Sequence, residues 1–211
     1  MIRLSELVPD VLIYAPGAPG PLIRRELRKA AQRFCRSTLI VLADTPAFTV
    51  VAETKTLDLT EYCAPQTQPV KVIEVNIDGR VIPSVGQDTL RGISALYQQA
   101  QPGAVSRYYA RDEKTVTLFP VPAADVPGVI TMAVCPTDAA NSLPDELGGL
   151  WRNAIVGGAL ARICVIPGQS YTSVDTANMG SSWYYEGERR ARIEFNTSFG
   201  RGTKVTMRPF A

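Results

Sequence analysis

The chain is 211 residues long, 45% hydrophobic and 20% charged, enough for one domain with a sizeable core or for a core with an inserted subdomain. Its net charge of +2 gives no strong overall field toward nucleic acid. The absence of histidine removes the commonest general base, every Ser–His or Cys–His pairing and the commonest zinc ligand, so an enzyme is the less favoured class.

Ile2 to Val8 reads as a short amphipathic piece. Pro9 and then Pro16-Gly17-Ala18-Pro19-Gly20-Pro21 predict a stiff loop. A first long helix follows over about Pro21 to Arg36. Ile23, Leu27, Ala30, Ala31 and Phe34 share one of its faces, and Arg24, Arg25, Arg28, Lys29, Arg33 and Arg36 fan across the other. That basic face is either simply solvated or the contact for an acidic partner or phosphate. No aromatic residue is interleaved in it, which argues against base stacking.

From Leu39 the period changes. Ala47–Val51, Thr56–Leu59, Val70–Ile77, Arg80–Pro83, Ser106–Tyr109, Lys114–Phe119 and Val129–Val134 read as strands. Asp78-Gly79 between alternating runs is a strong hairpin signal. Thr89 to Gln99 predicts a weak helix or a loop.

The stretch from Leu143-Pro144-Asp145-Glu146-Leu147 through Trp151 and Ala161 to Pro167-Gly168 predicts the central helix. Pro144 suits its first turn and the two acids its positive end. Leu147, Leu150, Trp151, Ala154, Gly158, Ala161 and Val165 line one side, and Val156, Leu160 and Ile163 make the other barely more polar, so the helix should be buried. Gly157 and Gly158 cost a helix roughly 1 kcal/mol each against alanine, so they need a packing reason or mark a bend. Arg152, Asn153 and Arg162 interrupt the run and make a membrane span a poor reading.

Ser173 or Asp175 could cap a last helix to about Phe195, with Ala177, Tyr184, Ala191 and Phe195 as its packed stripe and Arg189, Arg190 and Arg192 on its flank. Gly180 and Gly187 weigh against it. Asn196 to Ala211 reads as an arm, partly β-prone and available to a partner, or as a merely frayed tail. In Thr203-Lys204-Val205-Thr206-Met207 the residues alternate as in a strand that joins a partner's sheet. From Trp151 onward eight basic residues face four acidic ones, +4, leaving −2 for the rest.

Chemistry is sparse. Cys35, Cys63, Cys135 and Cys164 are far apart with no C-x-x-C, so they read as buried thiols in a reducing compartment, with neither zinc nor disulfide. There is no G-x-x-x-x-G-K-[ST], G-x-G-x-x-G or G-x-S-x-G. The N-terminus has no signal-peptide core, and a soluble protein made in a cytoplasm is expected. No cofactor and no metal are expected. Helix, antiparallel strands, then helices make an α+β fold: a helical bundle with an antiparallel β-rich insertion between the first and central helices, plus an extended C-terminal arm. The expected divisions are 1–38 with 140–195, 39–139 and 196–211.

One ordered set of pieces carries a resemblance. It comprises Leu22 with Ala30-Ala31-Gln32-Arg33-Phe34-Cys35-Arg36-Ser37-Thr38, the Asp78-Gly79 hairpin, Thr117-Leu118-Phe119-Pro120-Val121-Pro122, and Val134-Cys135-Pro136. Leu143-Pro144-Asp145 and Gly158-Ala159-Leu160-Ala161-Arg162-Ile163 before Pro167-Gly168 complete it. Over roughly Leu4 to Phe195 the chain resembles the head-to-tail adaptor (connector, head-completion) proteins of tailed bacteriophages. The resemblance implies a homo-oligomeric ring, commonly dodecameric, in the virion neck under the portal protein. Such a ring extends the DNA channel and docks the tail or the next neck protein. Viral DNA passes without sequence-specific binding, no membrane is involved, and no chemical step occurs. The C-terminal arm, with Lys204, Val205, Met207, Arg208 and Phe210, is then expected to reach the portal. Arg25, Lys29, Arg36, Arg189, Arg190 and Arg192 are expected to meet a neighbouring subunit, the portal or DNA. The alternatives are another virion ring component (tail terminator or tail-tube subunit), or a small DNA-binding module or histidine-free enzyme.

Overall fold

A computed structural model describes residues 1–86 and 102–198. The expected weak helix or loop at Thr89 to Gln99 lies outside the described residues. The fold is α+β and falls into two compact units, one made of residues 1–40 and 141–211 and the other of residues 41–140.

The first unit is helical. A two-residue strand β1 (Ile2–Arg3) leads into α1 (Leu4–Leu12), and α2 spans Gly20–Thr38. Pro9 sits inside α1, where the loop was expected to begin. This short helix forgoes one backbone bond there and continues, because Leu4, Leu7 and Val11 all bury on its inner side. Pro21 lies in the first turn of α2, and Leu39 closes the helix in a left-handed conformation, donating its N–H to the Cys35 carbonyl at 2.9 Å.

The predicted central helix is broken in two. β10 (Ser142–Leu143) pairs antiparallel with β1, α3 covers only Asp145–Gly148, and α4 runs Arg152–Ile163. Pro144 stands one place before α3, not in its first turn. The break falls at Gly149, whose φ of −96° and ψ of −92° lie outside the helical region, and Ile2 lies over the preceding Gly148 so closely that any Cβ there would clash with its side chain. Leu150 and Val165, expected on the packed side, fall outside both helices and are 78% and 57% exposed. From Ala154 to Leu160, α4 is buried without interruption.

The last helix, α5, is Val174–Ser198. The Ser173 hydroxyl accepts from Thr176 N–H at 3.3 Å, so Ser173 is the cap. Its glycines strengthen it in context. A Cβ on Gly157 would lie 2.6 Å from the Gly180 carbonyl oxygen, one on Gly180 2.6 Å from the Gly157 oxygen, and one on Gly187 2.5 Å from the Ala154 Cβ. α4 and α5 thus cross at backbone contact, and the glycines in both have the same reason. Phe34 of α2 closes the core against Trp151 and Tyr184, with ring centroids 5.6 and 6.0 Å apart.

The second unit is built of antiparallel strands. One sheet has the order β2 (Leu42–Asp44), β9 (Val126–Pro136), β5 (Thr67–Ile77), β6 (Arg80–Ile82), with β3 (Phe48–Val50) also paired to β9. A second has the order β4 (Thr56–Asp58), β8 (Thr115–Phe119), β7 (Arg107–Ala110). Ile77 pairs with Arg80 across a two-residue turn in which Asp78 and Gly79 both have positive φ, the turn anticipated from Asp-Gly. Alternate residues of β8, Val116 and Leu118, bury, as do Val75 and Ile77 of β5. The short β1, β2 and β10 were not anticipated; two or three residues carry no period of their own.

Candidate interaction surfaces

On α2, Arg25, Lys29 and Arg36 are spaced at i, i+4 and i+11, which puts them within about 40° of one another around a 3.6-residue helix. All three are exposed, while Ile23, Leu27, Ala30 and Phe34 bury on the other side. The only acid in α2 is Glu26, which is 5% exposed and accepts from Arg25 Nε at 2.9 Å. Arg25 is thus anchored at one end of the stripe. Arg33 turns aside, its guanidinium 5.7 Å from the centre of the Tyr184 ring and its Nε donating to the Lys29 carbonyl. Burial raises the Tyr184 hydroxyl above its ordinary pKa, with the nearby Arg33 charge working against it.

The arginines of α5 do not act as one patch. Arg192 is engaged within the unit, donating through Nε to the Ser37 carbonyl at 3.1 Å and through a terminal nitrogen to Glu188 Oε1 at 2.6 Å. It ties α5 to the end of α2 beside Arg36. Arg189 and Arg190 are exposed. Arg190 lines an open groove of about 260 Å³ with Leu150, Trp151, Asn153, Trp183 and Glu186. Tyr14 meets Trp183 edge-on at 5.5 Å. This groove was missed in the sequence because Leu150 was counted into the buried helix; Gly148-Gly149 directly before it was the available signal. Lys204, Val205, Met207, Arg208 and Phe210 of the arm lie outside the described residues.

One internal link fixes the helical unit's frame. Arg152 Nε donates to Asp10 Oδ2 at 2.6 Å and its terminal nitrogen to the Glu6 carbonyl at 3.1 Å, joining α4 to α1. The Asp10 hydrogen bond raises the Arg152 pKa further above its ordinary value.

The four cysteines are free thiols; Cys35, Cys135 and Cys164 are buried, but Cys63, expected buried with them, is only half-buried at the end of the Leu59–Tyr62 turn. Among the described residues, no three or more His, Cys, Asp or Glu are grouped to hold a metal ion, and no helix is long and apolar enough to cross a membrane. Burial, with Asp58 and Cys135 nearby, pushes the Cys63 thiol up to about 11. At pH 8 its thiolate should be roughly one part in a thousand, against about a quarter for an ordinary thiol. Its greater intrinsic nucleophilicity recovers only part of that, so alkylation should be roughly 10- to 30-fold slower than for an exposed cysteine. The rate should keep climbing about tenfold per pH unit from 8 to 10; a plateau near pH 9, followed by peptide mass spectrometry, would contradict the burial. Because the unfolded chain ionises first, this thiol's contribution to stability is present below pH 9 and is lost as pH rises toward 11.

No curated protein matches the chain. The SU10 adaptor protein family does, over residues 2–203.

Proposed function

Because the chain belongs to the SU10 adaptor protein family and is therefore a structural adaptor of a bacteriophage virion, we propose that it forms a ring under the portal. That ring extends the DNA channel and docks the tail or the next neck protein. The observation that carries this reading is the extent of the family match, which takes in both compact units and not one of them alone. The work is mechanical: sealing the vertex, adapting symmetry and holding DNA in the channel without reading its sequence. A closed ring needs two unlike surfaces on each subunit. The exposed basic face of α2, with Arg25, Lys29 and Arg36, is one such surface. The α5 flank, with Arg189, Arg190 and the Leu150–Trp183 groove beside it, is a further surface, proposed to meet the portal or DNA. The arm from Asn196 to Ala211, with Lys204, Val205, Met207, Arg208 and Phe210, is the element proposed to reach the portal. The two units are proposed to act as separate domains, the β-rich one inserted into the helical one.

Electron microscopy of the full chain mixed with its portal tests the reading. A second ring stacked coaxially on the portal is the expected result. Rings or tubes that bind tail proteins and leave the portal bare would reject it.

A further inference from the structure

We infer that the basic face of α2 in one copy docks on the acidic end of the β4–β8–β7 sheet in the next copy. The inference rests on the ring reading above and supplies the two unlike surfaces that a ring requires.

The chain is charge-separated by unit. Residues 1–40 and 141–211 carry fifteen basic against nine acidic side chains, +6, while residues 41–140 carry seven against eleven, −4. The near-neutral total conceals two units of opposite net charge. On α2 the like charges are also crowded: Arg25 with Lys29, Lys29 with Arg33, and Arg33 with Arg36 are helix neighbours at i,i+4 or i,i+3, an arrangement that weakens a helix left in water. Arg25 to Arg36 spans about 16 Å of helix, long enough to meet a surface and not a single residue.

The second unit offers the complement at one end of its three-stranded sheet. Asp58 pairs in register with Thr115, and Leu59 N–H donates to the Lys114 carbonyl at 2.7 Å. The 3₁₀ turn Leu59–Tyr62 and the β7–β8 turn are thereby brought together. Asp58, Glu61, Asp112 and Glu113 are all exposed there, against Arg111 and Lys114. Asp112 is fixed in place, its Oδ1 accepting from the N–H groups of Lys114 and Thr115 at 2.8 and 2.6 Å. Those bonds hold its pKa below the usual carboxylate value, and bonds from Thr60 do the same for Asp58. Both stay charged at neutral pH. Duplex DNA is the poorer occupant of the α2 face, because the chain's net charge of +2 gives no strong field toward a polyanion. Complementary charge between copies steers association and fixes its polarity.

Charge swapping tests this with full-length chains loading on the portal. Lys29→Glu with Arg36→Glu reverses the α2 face and leaves Arg25 on the buried Glu26. Glu61→Lys with Glu113→Lys reverses the other face and leaves the Asp112 turn intact. Each double variant should keep the parent's fold by circular dichroism and load at least tenfold less well. An equimolar mixture should load like the parent, because each variant then supplies the face that the other needs. Carbodiimide should also join Lys29, the only lysine of α2, to an acidic residue of the β-unit end on an isotopically distinct copy. The inference falls if the mixture stays unloaded, if either variant loads normally alone, or if Lys29 joins only acids of its own copy. It falls also if the α2 variant loads normally and loses only duplex DNA binding. A parent chain that never loads on the portal sinks the adaptor reading itself, and this inference with it.

Discussion

Gly157→Leu is expected to be the most destabilising single change in the helical unit. Leucine is the better helix former, by roughly 1 kcal/mol, and would stabilise an isolated α4. In the folded chain the new Cβ alone would sit 2.6 Å from the Gly180 carbonyl oxygen and 2.9 Å from the Trp183 Cβ, both on α5. A backbone oxygen cannot rotate away, so α5 would have to move. The expected cost is at or above the upper end of the roughly 1–3 kcal/mol usual for overpacking. In a chain of this size each kcal/mol lowers the melting temperature by about 2–4 °C. Gly158→Leu should cost less, within about 1–3 kcal/mol. Its nearest obstacles, the Tyr184 ring at 2.6 Å and the Ala30 methyl at 3.0 Å, are side chains, and the ring can turn. Thermal melting followed by circular dichroism gives the order directly. If Gly157→Leu melted with the parent, the two helices would not cross at backbone contact.

Deleting the chain after Phe199 is expected to abolish stable attachment to the portal while leaving the melting temperature almost unchanged. The removed residues include Val205, Met207 and Phe210, three apolar side chains in a stretch too poor in apolar residues to form a core alone. Lys204 and Arg208 punctuate them, and the alternation from Thr203 to Met207 suits main-chain pairing with a partner's sheet edge. The helical core has contacts of its own among the described residues: Phe34 meets Trp151 and Tyr184, and α4 meets α5 at Gly157 and Gly180. Pull-down on portal rings, with melting as the control, separates the two effects. Retained attachment would assign portal contact elsewhere, and a large fall in melting temperature would make the arm part of the subunit's own fold.

Much of the fold was legible because its long elements carry their own periods. α2 was readable from Ile23, Leu27 and Phe34 on one face and its basic residues on the other, and the β5–β6 hairpin from Asp78-Gly79. What failed depended on distant partners. The break before α4 lies at Gly149, next to a Gly148 covered by Ile2, and no local pattern announces a contact across that much chain. Gly180 and Gly187 counted against α5 until Gly157 and Ala154 lay against them. The basic stripe of α2 needed only helical spacing to be seen. The Leu150–Trp183 groove required knowing that Leu150 leaves the helix. Nor could sequence reveal that Arg192 is spent on Glu188 and Ser37, since arginines at a helix flank look alike until their neighbours are placed.

The discontinuity of the helical unit has a consequence for how the protein is made. Its first forty residues leave the ribosome well before α4 and α5, with residues 41–140 in between. At common rates of about 5–20 residues per second, that interval lasts roughly 5–20 s. During it Phe34 has neither Trp151 nor Tyr184 to meet, and α2 carries a bare apolar side through the crowded cell. The strands from β2 to β9 find all their pairing partners among themselves and can close first. Folding therefore runs from the middle outward, and the nascent chain is most prone to aggregate just before Trp151 emerges.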